Sequence, residues 1–520
     1  MKNFYSLILL LCFTVTQAQN RYFDRMFGVK YTPNIVYANN ISIITGTPAP
    51  EDLKMDLYEP TNDTKTDRPL ILIAHTGSFL PPLYNGQITG SRTDSTVTAL
   101  AASLCSRGFV VAAYTHRLGW LPTSPDVNVR TGTLLQAAYR GIQDTRSCIR
   151  YFKKNVAEAN NTYGIDPNKI AVLGIGTGGY LSFGSGSLND FGEVTLDKFI
   201  NSSTLLPFID STIFGNIYGT SQGAICLPNN VGYSSNFQFA FNMGGALGDS
   251  SWLDGEAIEP AYSGVHCVND FFAPYYAGAV IVPTTREFVV NVTGTRGAIE
   301  IANNKGSNNI LNTIPAGKDK LKDLIDAQKA VRMTLPLTGQ NILLGTDNFY
   351  GFNLPPVQGS PWDWWDLNTL KQVVAFVNQT RGTTFNADTL HRSGLQTNPD
   401  MSAAKGRAYL DTCLALFLPR ACAALQLGCT YVDNEKIDAD EAGVNCFPNP
   451  AKHSVIVTTA SAYPMETIYI YDVNGRLVKG YTDINQNKFE VQRNNLNAGI
   501  YFARIGFKGQ YTNQTIIFQD

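Results

Sequence analysis

The chain has 520 residues, too many for one typical domain and enough for a large core. Apolar residues make up 44% and charged residues 16%, which excludes a disordered chain. The net charge is −2 with no basic block, so there is no electrostatic footprint for nucleic acid.

Residues 1–18 read as a signal peptide. Lys2 supplies the positive start, residues 4–15 the apolar run, and Thr16-Gln17-Ala18 the cleavage site, so the mature chain begins at Gln19. The run is shorter than the ~20 residues a membrane span needs, and no later segment qualifies, so no transmembrane span is expected. Eight cysteines remain after Cys12. An even count in an exported chain allows disulfides, with buried free thiols as the alternative, and the pairing does not follow from sequence. The cysteine spacing fits no zinc pattern, and neither metal nor cofactor is expected.

From residue 27 to about 425, apolar runs alternate with amphipathic stretches. Residues 53–58 alternate apolar and polar, as an early antiparallel strand does. Residues 69–74 are a fully apolar run of buried-strand type. A helix is predicted over 98–107, closed by Gly108, then a strand over 109–114, a long helix over 133–154 and a strand over 170–173. Strands are also predicted over 237–243, 262–265 and 309–314, with a helix over 295–305. Such alternation implies a mostly parallel sheet covered on both faces. Residues 320–400 break the rhythm as an insert. A helix follows over 402–427, where Pro419 is expected to kink or split it.

Residues 428–445 are acidic and polar, which suits a linker. From residue 446 short β-rich runs alternate with turns, and Asn474-Gly475 between two of them signals a hairpin. This tail resembles the C-terminal sorting domain of type IX secretion cargo in Bacteroidetes. The resemblance rests on Phe447-Pro448-Asn449-Pro450, on Tyr469-Ile470-Tyr471-Asp472-Val473-Asn474-Gly475-Arg476, on Leu496-Asn497-Ala498-Gly499-Ile500-Tyr501 and on the closing Ile516-Ile517-Phe518-Gln519. It implies a small antiparallel β-sandwich, type IX secretion machinery as partner, and delivery across the outer membrane to the surface or the medium.

The body resembles the carboxylesterase-like α/β-hydrolases. The residues that carry the resemblance are Ile73-Ala74-His75-Thr76-Gly77-Ser78-Phe79 at the HGGG-type oxyanion loop, Tyr114-Thr115-His116-Arg117-Leu118-Gly119, Gln143-Asp144-Thr145-Arg146, and Tyr163-Gly164-Ile165-Asp166-Pro167-Asn168-Lys169-Ile170. The family's nucleophile elbow, G-x-S-x-G, appears as Gly174-Ile175-Gly176-Thr177-Gly178. The nucleophile position is thus Gly176, with no side chain. Asp270, in Val265-His266-Cys267-Val268-Asn269-Asp270, matches the triad acid. After the strand predicted over 309–314, the family's base turn reads Pro315-Ala316-Gly317-Lys318-Asp319, so Lys318 or Asp319 replaces the histidine.

The resemblance implies an α/β-hydrolase fold, with a mostly parallel central sheet and helices on both faces, over residues 19–427. His75, Thr76, Gly77, Ser78 and Thr177 form the oxyanion region. Two of three triad groups are replaced, which points to a pseudoenzyme that binds a small-molecule ester or another ligand. The alternative is an active ester hydrolase using Thr177 as nucleophile and His391, the one spare histidine, as base. Trp362, Trp364 and Trp365 either line the pocket or form a local core beneath the insert.

Overall fold

The computed structural model describes residues 20–282, 286–355, 358–429, 435–472, 477–508 and 510–520. The expected signal peptide and the Asn474-Gly475 turn lie outside the described residues. The chain forms two compact units, Arg21–Cys429 and the tail, each described by itself below.

The first unit is built on an eight-stranded sheet. Its strands are β1 (Gly28–Ser42), β2 (Ala49–Thr61), β3 (Arg68–Ala74), β4 (Val110–Tyr114), β5 (Ile165–Ile175) and β6 (Phe239–Met243). After a two-residue β7 (Ala246–Leu247) comes β8 (Ala261–Cys267). β10 (Phe288–Gly294) pairs with β7 on one side and β9 (Ala277–Ile281) on the other in a small second sheet, and β11 (Arg332–Thr334) and β12 (Asn341–Leu343) form a hairpin. The last strand of the main sheet is β13 (Phe349–Phe352). The order is β1-β2-β4-β3-β5-β6-β8-β13, with the β1–β2 and β2–β4 pairings antiparallel and the rest parallel. The expected architecture, α/β with helices on both faces, is the one observed.

Alternation along β3 explains the two-sided cover. Leu70, Leu72 and Ala74 join one core with α2 (Val127–Glu158) and α3 (Thr177–Ser187), while Ile71 and Ile73 join the other. That second core also takes α1 (Ser95–Cys105) and α9 (Ala403–Ala424). The remaining helices are α4 (Ser211–Phe214), α5 (Thr295–Lys305), α6 (Lys322–Ala330), α7 (Leu367–Arg381) and α8 (Ala387–Thr397). α7 and α8 pack on a satellite core with Leu83, Leu370 and Leu390.

One expectation fails here, and of the kink or split expected at Pro419 the split is absent. Residues 309–314 are not a strand: Asn309–Thr313 is a 3₁₀ turn that packs with α9. The outer parallel neighbour of β8 is β13, which comes well after residues 309–314 in the chain. And α9 runs through Pro419 as one helix rather than splitting, with the Arg420 guanidinium donating to the Leu416 carbonyl beside the proline. Cys422 and Cys429 form a disulfide near its end, and five buried cysteines of this unit are free.

In the tail, β14 (Glu435–Lys436), β21 (Gln510–Phe518), β20 (Gly499–Phe507), β17 (Thr467–Tyr471) and β18 (Leu477–Tyr481) make one sheet. β15 (Asn445–Phe447), β16 (Ser454–Thr458) and β19 (Lys488–Gln492) make the other. Val455, Val457, Ile468, Ile470, Ala503 and Ile505 fill the space between. Ile437, Ala442 and Val444 belong to this core too, so the sandwich takes up part of the segment that reads as a linker.

Candidate active site

β5 ends at Ile175 and α3 begins at Thr177, leaving Gly176 alone in the turn with φ 54 and ψ −117. Such a backbone is nearly closed to residues with a side chain. Its flanking glycines are sterically required. A Cβ on Gly174 would lie 1.9 Å from the Gly178 carbonyl oxygen, and one on Gly178 would lie 2.2 Å from that of Ala74. Strand and helix therefore meet at the sharp elbow that the sequence implied.

A Cβ on Gly176 would lie 2.2 Å from Thr76 Oγ1 and 3.0 Å from Thr76 Cβ. The space a nucleophile's side chain would need is filled from the facing loop. In the HGGG-type pattern Thr76 stands where the first glycine belongs. The two exchanges are complementary: a side chain is missing on the elbow and an extra one is present on the loop.

The loop after β3 is supported from behind. His75 is buried, and its Nδ1 lies 2.6 Å from the Thr76 carbonyl oxygen, as donor. Burial pushes the imidazole down to about 4, so it is neutral. It stacks on His116 at 4.6 Å, whose own burial holds it well below the usual histidine range. Gly77 passes Gly90 so closely that a Cβ would sit 2.6 Å from the Gly90 Cα. Ser78 and Phe79 follow with φ of 54 and 53, and Trp120 Nε1 donates to the Ser78 carbonyl at 2.7 Å. Thr177 opens α3, so its N–H is among those a helix leaves without an internal acceptor. Thr177 Oγ1 is buried with no hydrogen-bond partner among the described residues.

Asp270 follows β8 in a tight turn. Its Oδ1 accepts from the N–H of Phe272 at 2.7 Å. His266 Nε2 lies 3.3 Å from Asp270 Oδ2. The contact is not a hydrogen bond. Thr295 Oγ1 spends its proton on the Gly245 carbonyl, so at 3.0 Å it accepts from His266 Nδ1–H. Nε2 makes no hydrogen bond among the described residues. His266 is fully buried in β8 and lies behind Asp270, outside the cavity lining.

The base turn is also corrected. Because β13 is the last parallel strand, the loop behind it reaches Asp270, and Lys318 and Asp319 do not. Asp319 instead pairs with Arg420 of α9 at 2.7 Å, both side chains nearly buried. The residue that faces the acid is Gly359, where a Cβ would lie 3.0 Å from Asp270 Oδ1. Gly359, Ser360 and Asp363 escaped the sequence reading, although the Gly359-Ser360-Pro361 turn signal marks a loop there.

His391 is in α8, where its Nδ1 accepts from Trp365 Nε1 at 3.0 Å. It packs with the satellite core and is not brought to Asp270. The tryptophans of the insert do not line the cavity. Trp362 is buried beside Phe352, Trp364 lies under the Arg407 guanidinium, and Trp365 holds His391.

A cavity of about 120 Å³ lies against the elbow. Thr76, Ser78, Gly176, Thr177, Asp270, Ser360 and Asp363 border it on the elbow side. Leu134, Ala138, Ile142, Phe199, Trp252 and Val292 line its far end. Burial pushes Asp363 up to about 6, although it accepts a hydrogen bond from Thr96 Oγ1 at 2.7 Å.

The profile of a family described as BD-FAE matches residues 55–206, and that of a secretion system C-terminal sorting domain matches residues 445–519. No curated protein matches. Among solved structures, a truncated carbohydrate esterase from gut microbiota is 16% identical, with 55% of this chain and 86% of that one covered at a TM-score of 0.31. The apo form of Thermogutta terrifontis esterase 2 is 20% identical, covering 49% and 77% at 0.27. MGS-M1, an α/β hydrolase from a Medee basin deep-sea metagenome library, is 14% identical, covering 48% and 73% at 0.26. Among the described residues no helix is long and apolar enough to cross a membrane. The chain therefore carries an esterase-like α/β-hydrolase domain of the BD-FAE kind and a C-terminal sorting domain that directs its export by type IX secretion to the cell surface or the medium.

Proposed function

We propose that the hydrolase domain binds a small-molecule ligand in the elbow cavity and does not turn it over. One observation carries this reading. Gly176 on the cavity wall and Gly359 against Asp270 both lack a side chain, and Thr76 fills the space at the first. Acyl transfer needs an activated nucleophile and a base that takes its proton. A hydroxyl without that base is a poor nucleophile, and Asp270 alone supplies neither role. The oxyanion donors and the apolar cavity survive, and they support binding.

The competing reading is an ester hydrolase with Thr177 as nucleophile. The buried, unpartnered Thr177 hydroxyl at the cavity wall favours it. Its proposed base, His391, is engaged by Trp365 instead. A chromogenic series of short-chain esters, offered to the purified full-length exported protein, tests both. The expected result is release at the buffer rate. Turnover above it, abolished by Thr177→Val, promotes the competing reading.

A further inference from the structure

The charge of the cavity narrows its ligand. Its only ionised or ionisable acids and bases, apart from the Tyr180 phenol, are Asp270 and Asp363; no lysine, arginine or histidine lines it among the described residues. Both aspartates are buried, at 5% and 8% exposure. Asp270 accepts from backbone N–H groups, with His266 Nε2 3.3 Å behind it and outside the cavity lining, and Asp363 accepts from the Thr96 hydroxyl, so on the cavity side no cation faces either carboxyl among the described residues.

We propose that the cavity selects an uncharged ligand, an apolar group of about six carbons ending in a neutral carbonyl or hydroxyl, and rejects the corresponding carboxylate. This rests on the reading that the site binds without turnover. Size sets the first limit. A dry apolar cavity of about 150 Å³ holds a single benzene ring, and this one measures about 120 Å³. The walls around Leu134, Ala138, Phe199, Trp252 and Val292 offer such a group no polar partner.

Charge sets the second limit, and two effects compete. The start of α3 and the oxyanion loop attract an anion, an effect of roughly two- to fivefold near a helix terminus. Two carboxyls bordering the same water-poor space oppose it, and repulsion between unit charges at close range is worth more than tenfold there. A neutral carbonyl takes the same N–H and hydroxyl donors without that repulsion. The repulsion therefore decides. An esterase can use such a preference to release its acid product; in a site without a nucleophile it acts as a filter between a neutral derivative and its free acid.

The experiment compares hexanamide with hexanoate, which share size and shape, by calorimetric titration of the full-length protein at pH 8. Hexanamide should bind and hexanoate should bind at least tenfold more weakly. Asp363→Asn keeps an acceptor for Thr96 and should narrow the gap several-fold. Leu134→Phe and Ala138→Phe, one turn apart on the cavity face of α2, should each abolish hexanamide binding, which locates it. Equal affinity for both probes, a gap unchanged in Asp363→Asn, no hexanamide binding, or hexanamide binding that survives both cavity-filling variants would each overturn the proposal. An amide is inert to a weak esterase, so residual catalysis would appear only in the ester assay and would not disturb this comparison.

Discussion

Gly176→Ser tests the steric logic of the elbow directly. A side chain at φ 54 and ψ −117 carries backbone strain of about 1–3 kcal/mol. Its Cβ would also lie 2.2 Å from Thr76 Oγ1, where something must move, and overpacking of that kind costs about 1–3 kcal/mol. The single variant should therefore lose about 2–6 kcal/mol. Thr76→Gly removes the obstacle but not the backbone strain, so in that background the serine should cost at least about 1 kcal/mol less. The assay is chemical denaturation of the four proteins of this double-mutant cycle, followed by tryptophan fluorescence. Equal cost in both backgrounds would refute the claim that Thr76 occupies the nucleophile's space. A gain in stability from Gly176→Ser alone would refute the strain argument as well.

Chemistry should return only when three positions change together: Thr76→Gly, Gly176→Ser and Gly359→His should raise ester turnover above the parent, whereas Gly176→Ser with Lys318→His should not. Asp319→Ala should lower stability by about 1.5–3 kcal/mol, because it removes the charged hydrogen bond to the nearly buried Arg420 guanidinium, yet leave hexanamide affinity unchanged; altered affinity with full stability would contradict this. Burial raises Asp363 from 3.8 to about 6, so the folded state keeps a proton that the unfolded chain loses first. Its stabilising effect is full below pH 4 and is lost as pH rises through about 6. Asp363→Asn should thus gain about 2 kcal/mol relative to the parent between pH 4 and pH 7, measured by denaturation; a difference independent of pH would count against it. Deleting residues 435–520 should leave the hydrolase domain folded in the periplasm, and normal surface delivery of the shortened chain would show that the tail is not the sorting signal.

Much of the fold was legible because the sheet is buried on both faces. Pro69-Leu70-Ile71-Leu72-Ile73-Ala74 is apolar throughout, as a strand covered on both faces is, and the elbow glycines carry their own steric signature. The final strand was not legible. Phe349-Tyr350-Gly351-Phe352 is four residues long with a central glycine, while the stronger apolar run at 309–314 is a 3₁₀ turn. Short apolar runs do not tell strand from turn by periodicity. That one exchange put the expected base turn at Lys318-Asp319 rather than in the loop after β13, where Gly359 lies against Asp270. The role of Thr76 was hidden for a different reason. Its departure from the glycine pattern was visible, but the approach of the loop to the elbow is a tertiary distance. His391 was chosen by elimination, and its bond to Trp365 depends on the packing of α8 against the insert.

The central claim is that no activated nucleophile exists in this domain. A fluorophosphonate probe reacts with an activated serine or threonine whatever the ester specificity. Intact-mass measurement of the full-length exported protein after long exposure to that probe is therefore the most direct test. The account predicts an unchanged mass in the parent and labelling of residue 176 in the variant combining Thr76→Gly, Gly176→Ser and Gly359→His. A stoichiometric mass gain in the parent, mapped to Thr177 or Thr76, would contradict it.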